Sequence, residues 1–275
     1  MSHPVLAFIG GGNMASAIIG GLLESGHPRD RLIVVEPYAP QRDKLASDFG
    51  LQALASADAS LAQADLLMWA VKPQMFAEAA APLASFAPFV GQALHLSVMA
   101  GIRSEALLQA CGAARIVRAM PNTPALIGRG MAGLYARPEV SAADKQLVER
   151  VLAPTGELMW LAQESDLDAV TALSGSGPAY FFYFIEAMEA AAVEMGLSAE
   201  QGRQLALATC AGAAALAQQS TESPATLRER VTSKGGTTYA ALSSLQADGV
   251  GAAIQRAVKA AQQRARELGD EFGQA

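Results

Sequence analysis

Apolar residues along this chain follow two rhythms. In the first part, short apolar runs at 5–9, 31–36, 65–71, 93–98 and 114–119 predict strands, with a further strand over 131–135. Between them, apolar positions recur every three or four residues at 16–25, 40–49, 73–85, 104–110 and 142–152, which predicts helices. Strands alternating with helices predict an α/β domain, a doubly wound parallel sheet of the Rossmann type, with right-handed connections and a ligand crevice at the strands' carboxyl ends. Beyond Leu161 the rhythm is helical only. Helices are predicted over 167–196, 199–219, 223–231, 239–248 and 250–268, the first interrupted by Ser-Gly-Ser-Gly-Pro at 174–178. The boundary is placed near Ala162, giving a 1–162 α/β domain and a 163–275 all-helical domain. Apolar residues on more than one face of these helices predict burial against a second copy, hence a dimerisation domain. A self-contained bundle is the alternative.

The first strand runs into Gly10-Gly11-Gly12-Asn13-Met14-Ala15. Gly10, Gly12 and Ala15 fit the G-x-G-x-x-G/A dinucleotide fingerprint in its required setting, after a strand and before a helix. Gly10 permits the turn, Gly12 lets backbone approach a pyrophosphate, and Ala15 lets helix and strand pack closely. The helix start adds free N–H groups and a partial positive charge. Glu36 ends the second strand, where an acid can accept from a ribose 2′-hydroxyl and repel a 2′-phosphate. That favours NAD over NADP, although Arg42 nearby offers a cation for a phosphate. Ala70-Val71-Lys72-Pro73, the 97–102 run SVMAGI and the 118–124 run RAMPNTP close three more strands at the same edge. Lys72 is a candidate for cofactor phosphate, and Asn122, stiffened by flanking prolines, for the carboxamide or a neighbouring loop. In the helical part, Thr232-Ser233-Lys234-Gly235-Gly236-Thr237-Thr238 precedes a helix and reads as an anion cradle for one phosphate or carboxylate.

Composition removes several alternatives. The net charge is −6 with no basic block, which argues against nucleic acid. No apolar run is long enough to predict a membrane span, and no signal peptide is read at the start. Two distant cysteines, Cys111 and Cys210, suit a reducing compartment, so a cytoplasmic location is expected. Three histidines at positions 3, 27 and 95 supply no metal-ligand spacing, so no metal is expected. No Ser-His-Asp set or carboxylate pair stands out. A nicotinamide enzyme needs neither, because the cofactor carries the hydride.

The segments FIGGGNMA, AVKP, MPNTP, LSGSGPAYFF and TSKGGTT, in this order, resemble the pyrroline-5-carboxylate reductases over essentially the whole chain. The SGSGPAY and SKGGTT segments carry most of the specificity. The resemblance implies a Rossmann domain followed by a helical domain that interlocks into dimers, which often assemble into decamers. It also implies reduction of the C=N bond of 1-pyrroline-5-carboxylate to L-proline by NADPH or NADH, the last step of proline synthesis. Carried over by position, Ile9, Gly10, Gly11, Gly12, Asn13, Met14, Glu36, Ala70, Val71, Lys72, Pro73 and Ala100 would contact the cofactor, with Glu164 near its nicotinamide end. Ser233, Gly235, Gly236, Thr237 and Thr238 would hold the substrate, the Gly235 and Gly236 amides taking its carboxylate and Thr238, the catalytic candidate, lying near its nitrogen. Many members carry proline in place of Lys234 and a neutral residue in place of Glu36. Two rival readings fit the chain less well. A 3-hydroxyacid dehydrogenase of the same plan would need a lysine on the long helix, and 167–196 contains none. A non-catalytic nucleotide sensor would have no use for the substrate cradle.

Overall fold

The computed structural model describes residues 3–272. By its contacts the chain divides into two units. One runs through Ser176 and takes up the chain again from Ala261; the other is Gly177–Ala260.

The first unit is built on a seven-stranded sheet: β1 Leu6–Ile9, β2 Leu32–Val35, β3 Leu66–Trp69, β4 Leu94–Ser97, β5 Ile116–Met120, β6 Gly130–Ala136 and β7 Gly156–Trp160. The order is β2-β1-β3-β4-β5-β6-β7. All pairs are parallel except β5 with β6. That exception follows from chain length. A single 3-10 turn, Thr123–Ile127, joins β5 to β6, and a parallel crossover needs a dozen or more residues. The order reverses at β1, between β2 and β3, so the crevice opens at the carboxyl ends of β1 and β3.

Both sheet faces are buried, as a parallel sheet requires. Leu6, Phe8, Leu66 and Met68 point into one cluster, with Ile18 and Ile19 of α1 (Asn13–Glu24), Leu45 of α2 (Ala39–Phe49) and Val148 of α6 (Ala142–Leu152). Ala7, Ile9, Leu67 and Trp69 point into the other, with Phe76 of α3 (Phe76–Ala80) and Leu107 of α5 (Ser104–Cys111). The helix expected over 73–85 is broken into pieces: a 3-10 turn at Pro73–Met75, then α3, a 3-10 stretch Ala81–Phe86 and α4 (Ala87–Val90). Pro82 supplies no N–H, and its ring obstructs the preceding turn. His95 lies in the core, where the Trp69 indole N–H donates to Nδ1 at 3.0 Å and Nε2 meets the Val90 carbonyl at 2.9 Å. Burial pulls its pKa down to about 4, so the ring is neutral, with the proton on Nε2.

The chain then enters α7 (Asp166–Val170), which passes into a π-helical turn, Thr171–Gly175. There the Ser176 N–H donates to the Thr171 carbonyl at 2.8 Å. The interruption read at 174–178 is therefore a π-bulge, a feature common at functional sites.

The second unit contains α8 (Gly177–Glu194), α9 (Ala199–Gln219), α10 (Pro224–Arg230), α11 (Thr237–Ala247) and the first part of α12 (Val250–Phe272). Helices α8 and α9 approach so closely that a Cβ on Gly202 would lie 2.8 Å from that of Ala192. Even so, Phe181, Phe182, Tyr183 and Phe184 on α8 remain 54–75% exposed in a single copy. Four consecutive aromatics cover every side of a helix, and one neighbour cannot bury them all.

Candidate active site

Of the predicted cofactor residues, Ile9, Gly10, Ala70 and Val71 meet at the crevice. Gly10 has φ +95°, and a Cβ there would lie 2.7 Å from the Ala70 carbonyl oxygen and 2.9 Å from Val71 Cγ1. The Gly10 N–H donates to Val35 and the Ala70 N–H to Ile9, both at 2.8 Å. Three strand ends are thus stitched together where only glycine fits. Gly12 is the N-cap of α1, and no described atom lies within 4 Å of a Cβ built on it. Among the described residues no side chain caps this helix and no acid occupies its first turn, so the amides of Asn13, Met14 and Ala15 are left for an anion. An open approach at Gly12 over unpaired helix-start amides fits a dinucleotide pyrophosphate.

Glu36 is buried at the end of β2, and both its oxygens are engaged. One accepts from the Gly11 N–H at 2.9 Å, the other from the Tyr38 N–H at 2.8 Å. The Arg42 guanidinium turns to the Glu36 and Pro37 carbonyls, at 2.9 and 2.7 Å. The acid thereby holds the glycine loop, a role that the sequence pattern does not reveal. Lys72 is exposed beside β3, Pro73 opens the 3-10 turn, and Ala100 sits half-buried in the loop after β4.

Asn122 is occupied by the protein. Its amide nitrogen donates to the Ser174 carbonyl at 3.2 Å, and its oxygen accepts from the Met131 N–H at 2.9 Å. It ties the strand-end loop to the π-bulge, the neighbouring-loop option of the two left open by the sequence. Glu164 accepts from the Ser104 N–H at 2.6 Å, the Ser104 hydroxyl at 2.7 Å and Arg118 at 2.9 Å. Burial works against its charge, but the Ser104 donors and Arg118 outweigh it and hold its carboxyl below the usual range. Nothing in the sequence pattern marked Arg118, an arginine inside a buried strand. Its pairing becomes visible only once β5 and the residues before α7 are brought together.

In the second unit, the loop after α10 leads through Gly235, at φ +75°, to Gly236, the N-cap of α11. The Gly236 N–H donates to the Ser233 carbonyl at 3.0 Å, closing the turn. One of the two glycine amides expected to meet a carboxylate is therefore already used. Among the described residues the Gly235 N–H stays open, as do those of Thr237, Thr238 and Tyr239 in the first turn, which no described side chain caps. Thr238 is half-buried there. No group of three or more His, Cys, Asp or Glu among the described residues could hold a metal. No helix among them is long and apolar enough to cross a membrane.

Comparison with known proteins places this arrangement. Residues 164–268 match the family model for pyrroline-5-carboxylate reductase dimerisation, and residues 5–101 that for NADP oxidoreductase, coenzyme F420-dependent. The pyrroline-5-carboxylate reductase of Pseudomonas aeruginosa is 44% identical over 275 residues, covering 100% of both chains. A solved pyrroline-5-carboxylate reductase from Coxiella burnetii superposes with TM-score 0.89 at 34% identity, over 97% of this chain and 99% of that one. A Plasmodium falciparum pyrroline carboxylate reductase, solved with NADP bound, does so with TM-score 0.85 at 29% identity, over 98% and 99%. At 44% identity to the Pseudomonas aeruginosa relative over the whole of both chains, the protein belongs to the pyrroline-5-carboxylate reductase family.

Proposed function

We propose that this protein reduces the C=N bond of 1-pyrroline-5-carboxylate to L-proline with a reduced nicotinamide dinucleotide, the last step of proline biosynthesis. The observation that carries this reading is that α1 and α11 both begin after glycine with uncapped amides, in the segments that match the family. The first start takes the pyrophosphate, with Ile9–Met14, Ala70–Pro73 and Ala100 around the cofactor. The second takes the substrate carboxylate on the amides of Thr237, Thr238 and Tyr239, with Ser233 and Gly235 shaping the turn. When bound, the reduced nicotinamide supplies a hydride to the imine carbon. The chain's part is to fix the ring and keep its reactive face presented, an orientational contribution. The Thr238 hydroxyl accepts from the protonated ring nitrogen and holds it in place. That proton arrives with the iminium or from solvent, because an unperturbed threonine is too weak an acid to deliver it. Asn122 acts by holding the Ser174 bend.

Glu36 makes NADH the preferred cofactor. A 2′-phosphate would bring negative charge against a buried carboxylate whose position is fixed by two backbone N–H groups, and like charges so placed cost several kcal/mol. Steady-state oxidation of NADH and NADPH with the imine, for wild type and Glu36→Ser, tests both claims. Wild type is expected to turn over the imine with the higher kcat/KM for NADH. The variant is expected to shift the NADH/NADPH ratio toward NADPH by about tenfold or more. Absence of imine-dependent oxidation would refute the activity, and an unmoved ratio would refute the role of Glu36.

The protein works as a self-associating enzyme, the α8 aromatics being covered by a second copy, and such dimers build a decamer. Its net charge of −6 leaves no nucleic-acid or membrane partner to be expected. Cys111 is unpaired and its thiol is pushed up to about 12 by burial, an inert thiol suited to the cytoplasm, where we place the protein.

A further inference from the structure

We propose that Arg118 and Glu164 are positioning residues for the nicotinamide end of the cofactor, acting through Ser104 on the loop that joins β4 to α5. The inference rests on the dinucleotide reading above. That loop, residues 98–103, carries Ala100 and leaves the sheet beside the end of β3. Its near end is fixed to the sheet, the Val98 N–H donating to the Trp69 carbonyl at 3.0 Å. At its far end stands Ser104, and both Ser104 donors go to Glu164.

Glu164 is in turn held from β5. The Arg118 side chain is 9% exposed, its Nη1 lies 2.9 Å from Glu164 Oε1, and its Nε has no hydrogen-bond partner among the described residues. A buried guanidinium with one strong partner depends on that partner, because removing it leaves an uncompensated charge. The carboxylate therefore cannot swing away from Arg118, and Ser104 cannot swing away from the carboxylate. A rigid strand sets the end of a loop two links away.

The last turn of α12 backs the same loop from outside. Gly101, at φ +78°, sits so close to Phe272 that a Cβ would lie 2.9 Å from the ring, and Arg103 pairs with Asp270. A cavity of about 290 Å³, lined by Gly101, Arg103, Arg118, Glu164 and Asp168 among others, lies against these groups. It gives the loop room to shift once the link is cut.

Glu164→Gln, which keeps the shape and loses the charge, and the milder Ser104→Ala separate positioning from folding. Binding of NADH and of ADP-ribose, which lacks the nicotinamide, is measured by calorimetry alongside kcat. For Glu164→Gln, kcat is expected to fall about tenfold or more, a fraction of what a 1 Å misplacement can cost. NADH binding is expected to weaken several-fold while ADP-ribose binding stays within about twofold; Ser104→Ala should move the same quantities less. Should Glu164→Gln fail to fold, Ser104→Ala decides by the same NADH against ADP-ribose split. Parallel weakening of both ligands, or kcat within twofold of wild type in the folded variants, would overturn the proposal. Failure of wild type to bind NADH would overturn it too, whereas binding without imine turnover would remove only the reductase reading and leave the split measurable.

Discussion

Gly10→Ala is expected to abolish useful activity, lowering kcat/KM by about a hundredfold or more, and to destabilise the fold by about 2–4 kcal/mol. Two costs combine. The position holds φ +95°, outside the region open to side-chain-bearing residues, and the new methyl would stand 2.7 Å from the Ala70 carbonyl oxygen. That neighbour is backbone fixed in the sheet by its own bond to Ile9, so it cannot turn aside as a flexible side chain would. The loop must shift instead, and with it the Gly11 N–H that Glu36 holds and the α1 amides proposed for the pyrophosphate. Thermal unfolding read with NADH titration checks this. A variant that unfolds near the wild-type temperature and binds NADH normally would show that the contact between β1 and β3 is looser than the geometry implies. Gly12→Ala makes the contrast. Its Cβ meets no described atom, so it should cost little stability while still weakening the cofactor.

Thr238→Ala is expected to lower kcat by about ten- to a hundredfold with little change in stability, because the variant loses the bond that holds the ring nitrogen, and with it the imine carbon, in line for the hydride. The residue sits in the first turn of α11, where alanine is well tolerated, so folding should not obscure the result. KM for the imine should change less than kcat, because the carboxylate remains on the backbone amides. Thr238→Ser, which restores the hydroxyl, should recover most of the rate. An unchanged rate in the alanine variant would remove Thr238 from the reaction.

Much of this was legible in the sequence where one local rule decides. The strand at 5–9, the glycine turn and the helix after it follow from apolar runs and backbone freedom alone. So did the helices at 142–152 and 199–219, each closed at its start by a serine capping box. β7 was not legible. Its five residues, Gly156–Trp160, alternate between half-buried and exposed at the sheet edge, and so short an alternation after Pro154 reads as loop. Nor was the antiparallel turn into β6, which depends on how short its connection is. At the site, the glycines and the SKGGTT segment announced themselves through the backbone shapes they allow. The second duties of Glu36, Asn122 and Glu164 did not, because each rests on partners 25 to 60 residues away that only the fold brings near.

The most direct test of the account follows the hydride itself. Enzyme, 1-pyrroline-5-carboxylate and NADH carrying deuterium at both C4 positions are incubated in ordinary water, and the product is read by mass spectrometry and NMR. The account predicts L-proline with one deuterium, on the ring carbon that was the imine carbon and on a single face, in step with NADH consumed. Proline without deuterium, or NADH consumed without proline formed, would contradict it.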